Sequence, residues 1–496
     1  MTFPRNAFGT RAVLIASLLL GAISVFGFAP FYLFPLPFLA LAGAVFLWHR
    51  APSAGSAALQ GFFFGCGLFL AGVSWVYVSL HQFGGMPAVL AGVATVLFCA
   101  YLALFPALAA WAVAKLRSGH PVLDCLVAAS AWTLAEWLRG WVFTGFPWLA
   151  LGYSQSPPSP LAGFAPLVGC YGLSFIVALL AASLALSLGH RLRTLWAGGL
   201  VVAVAALGMG WSAAQWTRPK TEPLTVSLLQ GNIEQNLKWR PEHLLHSMQT
   251  YLQLARSHPA HLVVLPETAL PIVLDDLAPD YLAELAAATA PGGDALLGIV
   301  TGGSGGRYQN AAVSAADPSK RYSKSHLVPF GEFTPPGFAW SLALLHIPMS
   351  DFARGAARQA PIDVAGEKVA LNICYEDLFG EEIIRALPEA TLLVNISNVA
   401  WFGDSLAPPQ HLQIAQLRAL ETGRFMVRAT NTGKTAVVDP RGVVAAQLPT
   451  FVADALVAEV RGYTGLTPYA RWGNWPVVIL ALLILGVAAR RRKARS

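Results

Sequence analysis

Two hydrophobic rhythms divide the chain. Up to about residue 217, and again after 472, apolar positions run on for stretches near the ~20 residues that a helix needs to cross a hydrocarbon core. Eight such stretches are predicted, at 12–28, 30–48, 57–80, 86–114, 121–138, 168–189, 194–215 and 473–489, the second interrupted near its start by Pro30, Pro35 and Pro37. Over 218–471 the apolar runs shorten, become β-branched and alternate with segments of helical period. Strands are predicted at Leu224–Leu229, Leu262–Leu265, Ala295–Val300, Ala311–Ser314, Val369–Ile373, Leu392–Ile396, Phe425–Ala429 and Ala436–Val438. Helices are predicted at 241–258, 278–290, 380–387 and 408–423. Strands alternating with helices give an α/β domain. The expected fold is therefore a polytopic α-helical membrane bundle (1–217), an α/β domain (218–471), and an eighth membrane helix with a basic tail (472–496).

Charge sharpens this division. Only 12% of the 496 residues are charged and 55% are hydrophobic, against about 25% charged in an ordinary soluble protein. Residues 218–471 carry 20 Lys/Arg and 24 Asp/Glu; everything else carries 13 Lys/Arg and just two acids, Asp124 and Glu136. The basic balance belongs to membrane ends and does not indicate nucleic acid. Arg5, Arg11, Arg50, Lys115, Arg117, Arg191, Arg193 and the tail Arg490–Arg495 fall on one side if the spans alternate, whereas the opposite short loops carry Arg139 alone. The positive-inside rule then predicts cytoplasmic termini and an α/β domain outside the cytoplasm. Asp124 and Glu136 are the acids within the spans, with Glu136 expected to pair with Arg139. So few intramembrane ionisable groups argue against ion-coupled transport.

Of five cysteines, Cys374 alone lies in the α/β domain, so no disulfide forms within that domain. In α/β sheets chemistry gathers beyond the carboxyl ends of strands. Leu262–Leu265 runs into Pro266-Glu267-Thr268, and Val369–Ile373 runs into Cys374-Tyr375-Glu376-Asp377. Between them lies a Pro/Gly-interrupted polar loop holding Lys324, His326 and Glu332. A thiol needs a base to become a thiolate, a carboxylate raised toward neutrality by burial can supply one, and a lysine can hold a tetrahedral oxyanion. Glu267, Lys324 and Cys374 supply base, oxyanion partner and nucleophile. No zinc-protease, Walker or dinucleotide motif occurs. The G-x-S-x-G string at Gly302–Gly306 precedes a strand-like segment, so a glycine hairpin is expected in place of a nucleophile elbow.

The strings P-E-T, K-x-H-L-V-P-F-G-E and N-I-C-Y-E resemble the carbon–nitrogen hydrolase (nitrilase) superfamily with its Glu-Lys-Cys triad. Together with Gln230-Gly231-Asn232, Gly145-Phe146-Pro147-Trp148, Trp401-Phe402-Gly403-Asp404-Ser405 and the eight spans, the chain resembles the membrane branch of that superfamily, the bacterial apolipoprotein N-acyltransferases. Val399 stands where many members of that family carry an acid. The resemblance implies an αββα sandwich and no metal or organic cofactor. It implies acyl transfer from a phospholipid, through a Cys374 thioester, to the α-amino group of a diacylglyceryl-cysteine at a lipoprotein N-terminus. Glu267 would be the base and Lys324 the oxyanion partner. Glu332, Tyr375 and Glu376 would support them, and Trp239, Trp148 and Trp401 would contact substrate, although for Trp148 an interfacial aromatic belt is the stronger reading. His326 reads as structural. Two rivals are a membrane-anchored amidase or nitrilase, and a transporter or receptor with an outer sensing domain.

Overall fold

The computed structural model describes residues 9–238, 240–302, 307–334 and 351–494. The chain forms two compact units. One comprises Met1–Val76, Gly92–Ala214 and Arg471–Ser496; the other comprises Tyr77–Ala91 and Gln215–Ala470.

The first unit is built of helices. Among the described residues, five stretches are long and apolar enough to cross a membrane: Thr10–Gly27, Ala54–Gly72, Ala88–Lys115, Pro160–Ser187 and Arg191–Ser212. Helices also form at three other expected spans, with features that set them apart. Pro35–Arg50 has 16 residues. Pro121–Arg139 carries Asp124, Glu136 and Arg139. Trp475–Lys493 ends in four basic residues. The buried charges do local work. Asp124 accepts from the Ser118 N–H (2.7 Å), the Ser118 hydroxyl (2.8 Å) and the Gly119 N–H (3.1 Å), closing the turn ahead of its own helix. Glu136 and Arg139 do not form the expected ion pair. Glu136 accepts from the Leu151 N–H at 2.8 Å, while Arg139 donates to the carbonyls of Phe146 (2.5 Å) and Trp148 (2.7 Å). A turn whose main chain lacks helical partners is satisfied by side chains instead.

The second unit holds two large mixed sheets. The first runs Asp454–Val460, Leu224–Gln230, Leu262–Val264, Asp294–Gly302, Tyr308–Ser314, Arg321–Ser323, with Leu270–Val273 also pairing to Asp294–Gly302. The second runs Val444–Gln447, Ala436–Val438, Met426–Thr430, Leu392–Ser397, Glu367–Ile373, Ile362–Val364. In each, three central strands are parallel. Central parallel strands are covered on both faces, which is why they read as unbroken apolar runs. Val226, Leu228 and Val264 of one sheet share a core with Leu371, Ile373 and Val394 of the other. Tyr251 and Leu285, from helices Pro241–Ser257 and Pro279–Ala287, pack with Val263 and Leu297 on the first sheet. Leu412 and Ala415, from Ala407–Thr422, pack with Leu393 and Met426 on the second. Tyr77–Ala91 joins this unit where the Ser79 hydroxyl donates to the Trp401 carbonyl at 2.7 Å and Phe83 meets the Trp401 ring edge-on at 6.1 Å. Strands Asp294–Gly302 and Tyr308–Ser314 pair antiparallel, as the expected glycine hairpin requires; residues 303–306 lie outside the described residues.

Candidate active site

Cys374 follows strand Glu367–Ile373 and opens the short helical turn Cys374–Leu378. Its φ is +52°, a left-handed value that few non-glycine residues adopt. Glu376 fixes this turn from both sides. One carboxylate oxygen accepts from the Ile373 N–H at 2.7 Å. The other accepts from the Tyr322 hydroxyl (3.0 Å), the Ser325 N–H (2.7 Å) and hydroxyl (2.9 Å), and the His326 N–H (3.0 Å). The loop carrying Lys324 is thereby fastened to the cysteine turn. Burial pushes the Glu376 carboxyl above its ordinary range, while the Ile373 and His326 N–H groups favour its charged form.

Glu267 is delivered by a second unusual turn. Thr268 has φ +46°, and Pro266-Glu267 lies directly on strand residue Gly298. A Cβ at 298 would come 2.1 Å from the Pro266 carbonyl oxygen and 2.8 Å from the Glu267 Cα, so only glycine fits. One Glu267 oxygen accepts from Lys324 Nζ at 3.0 Å and from Asn310 Nδ2 at 2.8 Å; the other accepts from the Asn398 N–H at 2.8 Å. Lys324 Nζ also donates to Glu332 Oε1 at 2.9 Å, and Asn310 Nδ2 reaches that same oxygen at 2.9 Å. The remaining Glu332 oxygen accepts from the Val328 N–H at 2.8 Å. Beneath this cluster, Lys238 Nζ donates to the Glu267 main-chain carbonyl at 3.3 Å.

The electrostatics invert one expectation. Burial works to raise the Glu267 carboxyl, but the Lys324 charge and the hydrogen bonds from Lys324, Asn310 and Asn398 outweigh it and hold the group below its ordinary value. Burial works to lower Lys324, yet Glu267 and Glu332 keep it well above the ordinary lysine range. Glu267 is thus a carboxylate paired with an ammonium, not one raised toward neutrality. The Cys374 thiol is pushed up by burial and then by the Glu267 charge, with Lys324 opposing. Burial lowers Lys238 to about 8. The arrangement can accept a proton from a thiol at Glu267 while an ammonium stands ready for developing negative charge.

Of the other predicted residues, Tyr375 meets Phe379 edge-on at 5.2 Å, and His326 stacks on Phe379 at 3.7 Å. Trp401 is half-buried, its carbonyl held by Ser79. Trp148 is buried in the first unit, against Trp75 at 4.9 Å and Phe146 at 6.0 Å, which is core packing and not an interfacial belt. Trp239 lies outside the described residues. Asn310 and Asn398 escaped the sequence reading. The signal for Asn310 is faint: a polar residue beside Gln309, just ahead of the apolar Ala311–Val313 run of strand Tyr308–Ser314.

Family profiles match both units: the carbon-nitrogen hydrolase profile over residues 225–469, and the apolipoprotein N-acyltransferase N-terminal domain over residues 20–183. An apolipoprotein N-acyltransferase of Nitrosomonas europaea is 52% identical, across 95% of this chain and 96% of the relative. One from Ralstonia nicotianae is 47% identical, across 96% and 93%. The chain belongs to the apolipoprotein N-acyltransferase family. Among solved structures, a carbon-nitrogen hydrolase from Helicobacter pylori is similar at 18% identity and TM-score 0.38, over 52% of this chain and 95% of that one. In this member of the apolipoprotein N-acyltransferase family, Glu267, Lys324, Glu332 and Cys374 all fall inside the carbon-nitrogen hydrolase match, and Trp148 falls inside the N-terminal match.

Proposed function

We propose that the protein transfers a fatty acyl chain from a phospholipid to the α-amino group of the N-terminal diacylglyceryl-cysteine of lipoproteins. The observation that carries this reading is the buried Glu267–Lys324–Glu332 cluster, which acts electrostatically on a thiol held in a strained turn after a central strand. In the first half-reaction the Cys374 S–H proton passes to Glu267 and the sulfur attacks the ester carbonyl. The tetrahedral oxyanion is stabilised by Lys324. Its collapse expels the lysophospholipid alkoxide, which takes the proton from Glu267 and leaves a Cys374 thioester. In the second, the lipoprotein amine attacks the thioester carbonyl, a proton passes from nitrogen through Glu267 to the departing sulfur, and an amide remains. Glu332 holds Lys324 in place, and Glu376 holds the loop to the cysteine turn.

The same reading takes the helix–sheet–sheet–helix packing as the nitrilase αββα sandwich and the helices as eight membrane spans. Both termini are cytoplasmic, and residues 218–471 lie on the periplasmic side of a bacterial inner membrane, between domains 1–217 and 472–496. Trp239, Trp148 and Trp401 remain candidates for substrate contact. The deciding experiment is intact mass spectrometry of purified protein mixed with phospholipid alone. A mass increase of one acyl group on Cys374, absent in Cys374→Ala and discharged onto an added lipopeptide amine, is expected. Release of free fatty acid without transfer would instead support a hydrolase.

A further inference from the structure

A second buried polar network lies under the cysteine turn, and the mechanism above makes no use of it. Asn372, Asn395 and Arg428 occupy matching register positions on three adjacent parallel strands. Their neighbours Ile373, Ile396 and Ala429 face the core between the sheets. Side chains alternate along a strand, so the three polar residues point to the opposite face, toward helix Ala407–Thr422. They are joined in a row: Arg428 Nη1 donates to Asn395 Oδ1 at 2.7 Å, and Asn395 Nδ2 donates to Asn372 Oδ1 at 2.6 Å. Asn395 Nδ2 also reaches the Cys374 carbonyl at 3.3 Å. Arg428 is clamped from its other side. Its Nη1 donates to Asp377 Oδ2 at 2.7 Å and its Nη2 contacts His411 Nδ1 at 2.7 Å, while His411 Nε2 meets Asp377 Oδ1 at 2.6 Å.

A guanidinium can only donate, so His411 Nδ1 is the acceptor and its proton sits on Nε2, facing Asp377. His411 is therefore a neutral spacer. Burial and then the Arg428 charge lower its affinity for a second proton. The cluster reduces to one permanent cation and one carboxylate, both fully buried, where a charge exerts its field with little screening. A buried pair of this kind gives weak net stability compared with apolar packing, and its placement at the carboxyl ends of the strands is where an α/β fold keeps its chemistry.

We propose that Arg428, clamped by Asp377 and His411, is a positioning residue for the Cys374 nucleophile, anchoring the strained cysteine turn through Asn395 and supplying a second fixed positive charge besides Lys324. The inference rests on Cys374 being the nucleophile. The charged and titratable groups around the thiol are Glu267, Lys324 and Glu332 on one side and Arg428, Asp377, His411 and Glu376 beneath; burial dominates its proton affinity, with Lys324 and Arg428 the two groups favouring thiolate. A cation within a few ångströms shifts a titration by about one to three pH units.

The test is the pH dependence of Cys374 alkylation by iodoacetamide in the full-length, detergent-solubilised protein, read by peptide mass, alongside acyl-enzyme formation from phospholipid. Arg428→Met is expected to raise the pH of half-maximal alkylation by about one unit and to slow acyl-enzyme formation at least tenfold. Arg428→Lys keeps the charge and loses the fork; it is expected to slow acylation while leaving the alkylation midpoint near that of the wild type. Asp377→Asn unmasks the guanidinium and lowers the midpoint, which supplies the test if Arg428→Met does not fold. Folded Arg428→Met with an unmoved midpoint, or an unmoved midpoint in Asp377→Asn when it is the one variant that folds, overturns the proposal. A wild-type protein that takes no acyl group from phospholipid sinks the nucleophile reading itself, which is a separate result.

Discussion

At Lys324 three charges meet within hydrogen-bond distance, with carboxylates of Glu267 and Glu332 at 3.0 and 2.9 Å from an ammonium that is 1% exposed. Removing one partner of a buried ion pair costs about 3–5 kcal/mol because the other charge is left uncompensated. Lys324→Met leaves two. It is expected to abolish acyl-enzyme formation and to lower stability by at least that amount in thermal melts, and a second change, Glu332→Gln, should restore part of the stability and none of the activity. The pH dependence at Glu267 has a definite sign. Its carboxyl is held below the ordinary 4.5, so its ionisation stabilises the fold fully above that value and the contribution is lost as pH falls through the lowered one. The stability advantage of the wild type over Glu267→Gln should shrink as melts are taken from about pH 6 to about pH 3. The Glu267–Lys324–Glu332 cluster and the Cys374 turn were legible because each residue stands in a short string just past a strand or in a polar loop. The direction of the Glu267 shift was not. It is set first by the Lys324 charge and then by hydrogen bonds from Lys324, Asn310 and the Asn398 N–H, the last two 43 and 131 residues away in sequence. Arg428 left a faint trace, a polar residue at the same place in three successive apolar strands, Asn372, Asn395 and Arg428.

Among the elements, the short loop Lys324–His326 that follows strand Arg321–Ser323 is fastened to the cysteine turn by the Glu376 carboxylate. Glu376→Ala removes the acceptor for the Ser325, His326 and Ile373 N–H groups together with two hydroxyls. Each buried donor left unmade costs about 1–3 kcal/mol. Glu376→Ala should therefore destabilise the second unit by more than about 3 kcal/mol and displace Lys324, lowering the rate of acyl-enzyme formation. Tyr322→Phe, which removes one hydroxyl, should cost only about 1 kcal/mol. Denaturant melts of the two variants give the comparison. The central parallel strands were legible because burial on both faces makes them continuously apolar. Arg321–Ser323, Ile362–Val364 and Tyr463–Gly465 were not, since three-residue strands with polar positions carry no period. Asp454–Val460 was not among the predicted strands, and its pairing with Leu224–Gln230 joins residues more than two hundred positions apart.

For the molecule as a whole, charge asymmetry gives an orientation that labelling can check. In chains carrying a single added cysteine, Ser319→Cys, in an exposed turn of the second unit, should react with a membrane-impermeant maleimide in spheroplasts. His120→Cys, exposed in a basic loop of the first unit, should react only after lysis. The opposite pattern would reverse the proposed topology. Hydrophobic runs alone overstated how alike the spans are. Pro121–Arg139 is a buried helix whose polar groups close adjoining turns and, through Asp124, meet His49 of helix Pro35–Arg50 at 3.2 Å, and its length and apolarity did not announce that. The segment Tyr77–Ala91 carries a practical warning. Although it is embedded between long apolar helices in sequence, its residues underpin the Trp401 turn through Ser79, Val78 and Phe83. An excised soluble fragment covering only Gln215–Ala470 would lack that buttress, leaving an aromatic rim without support on one side. A water-soluble version for screening inhibitors would have to graft those fifteen residues back in.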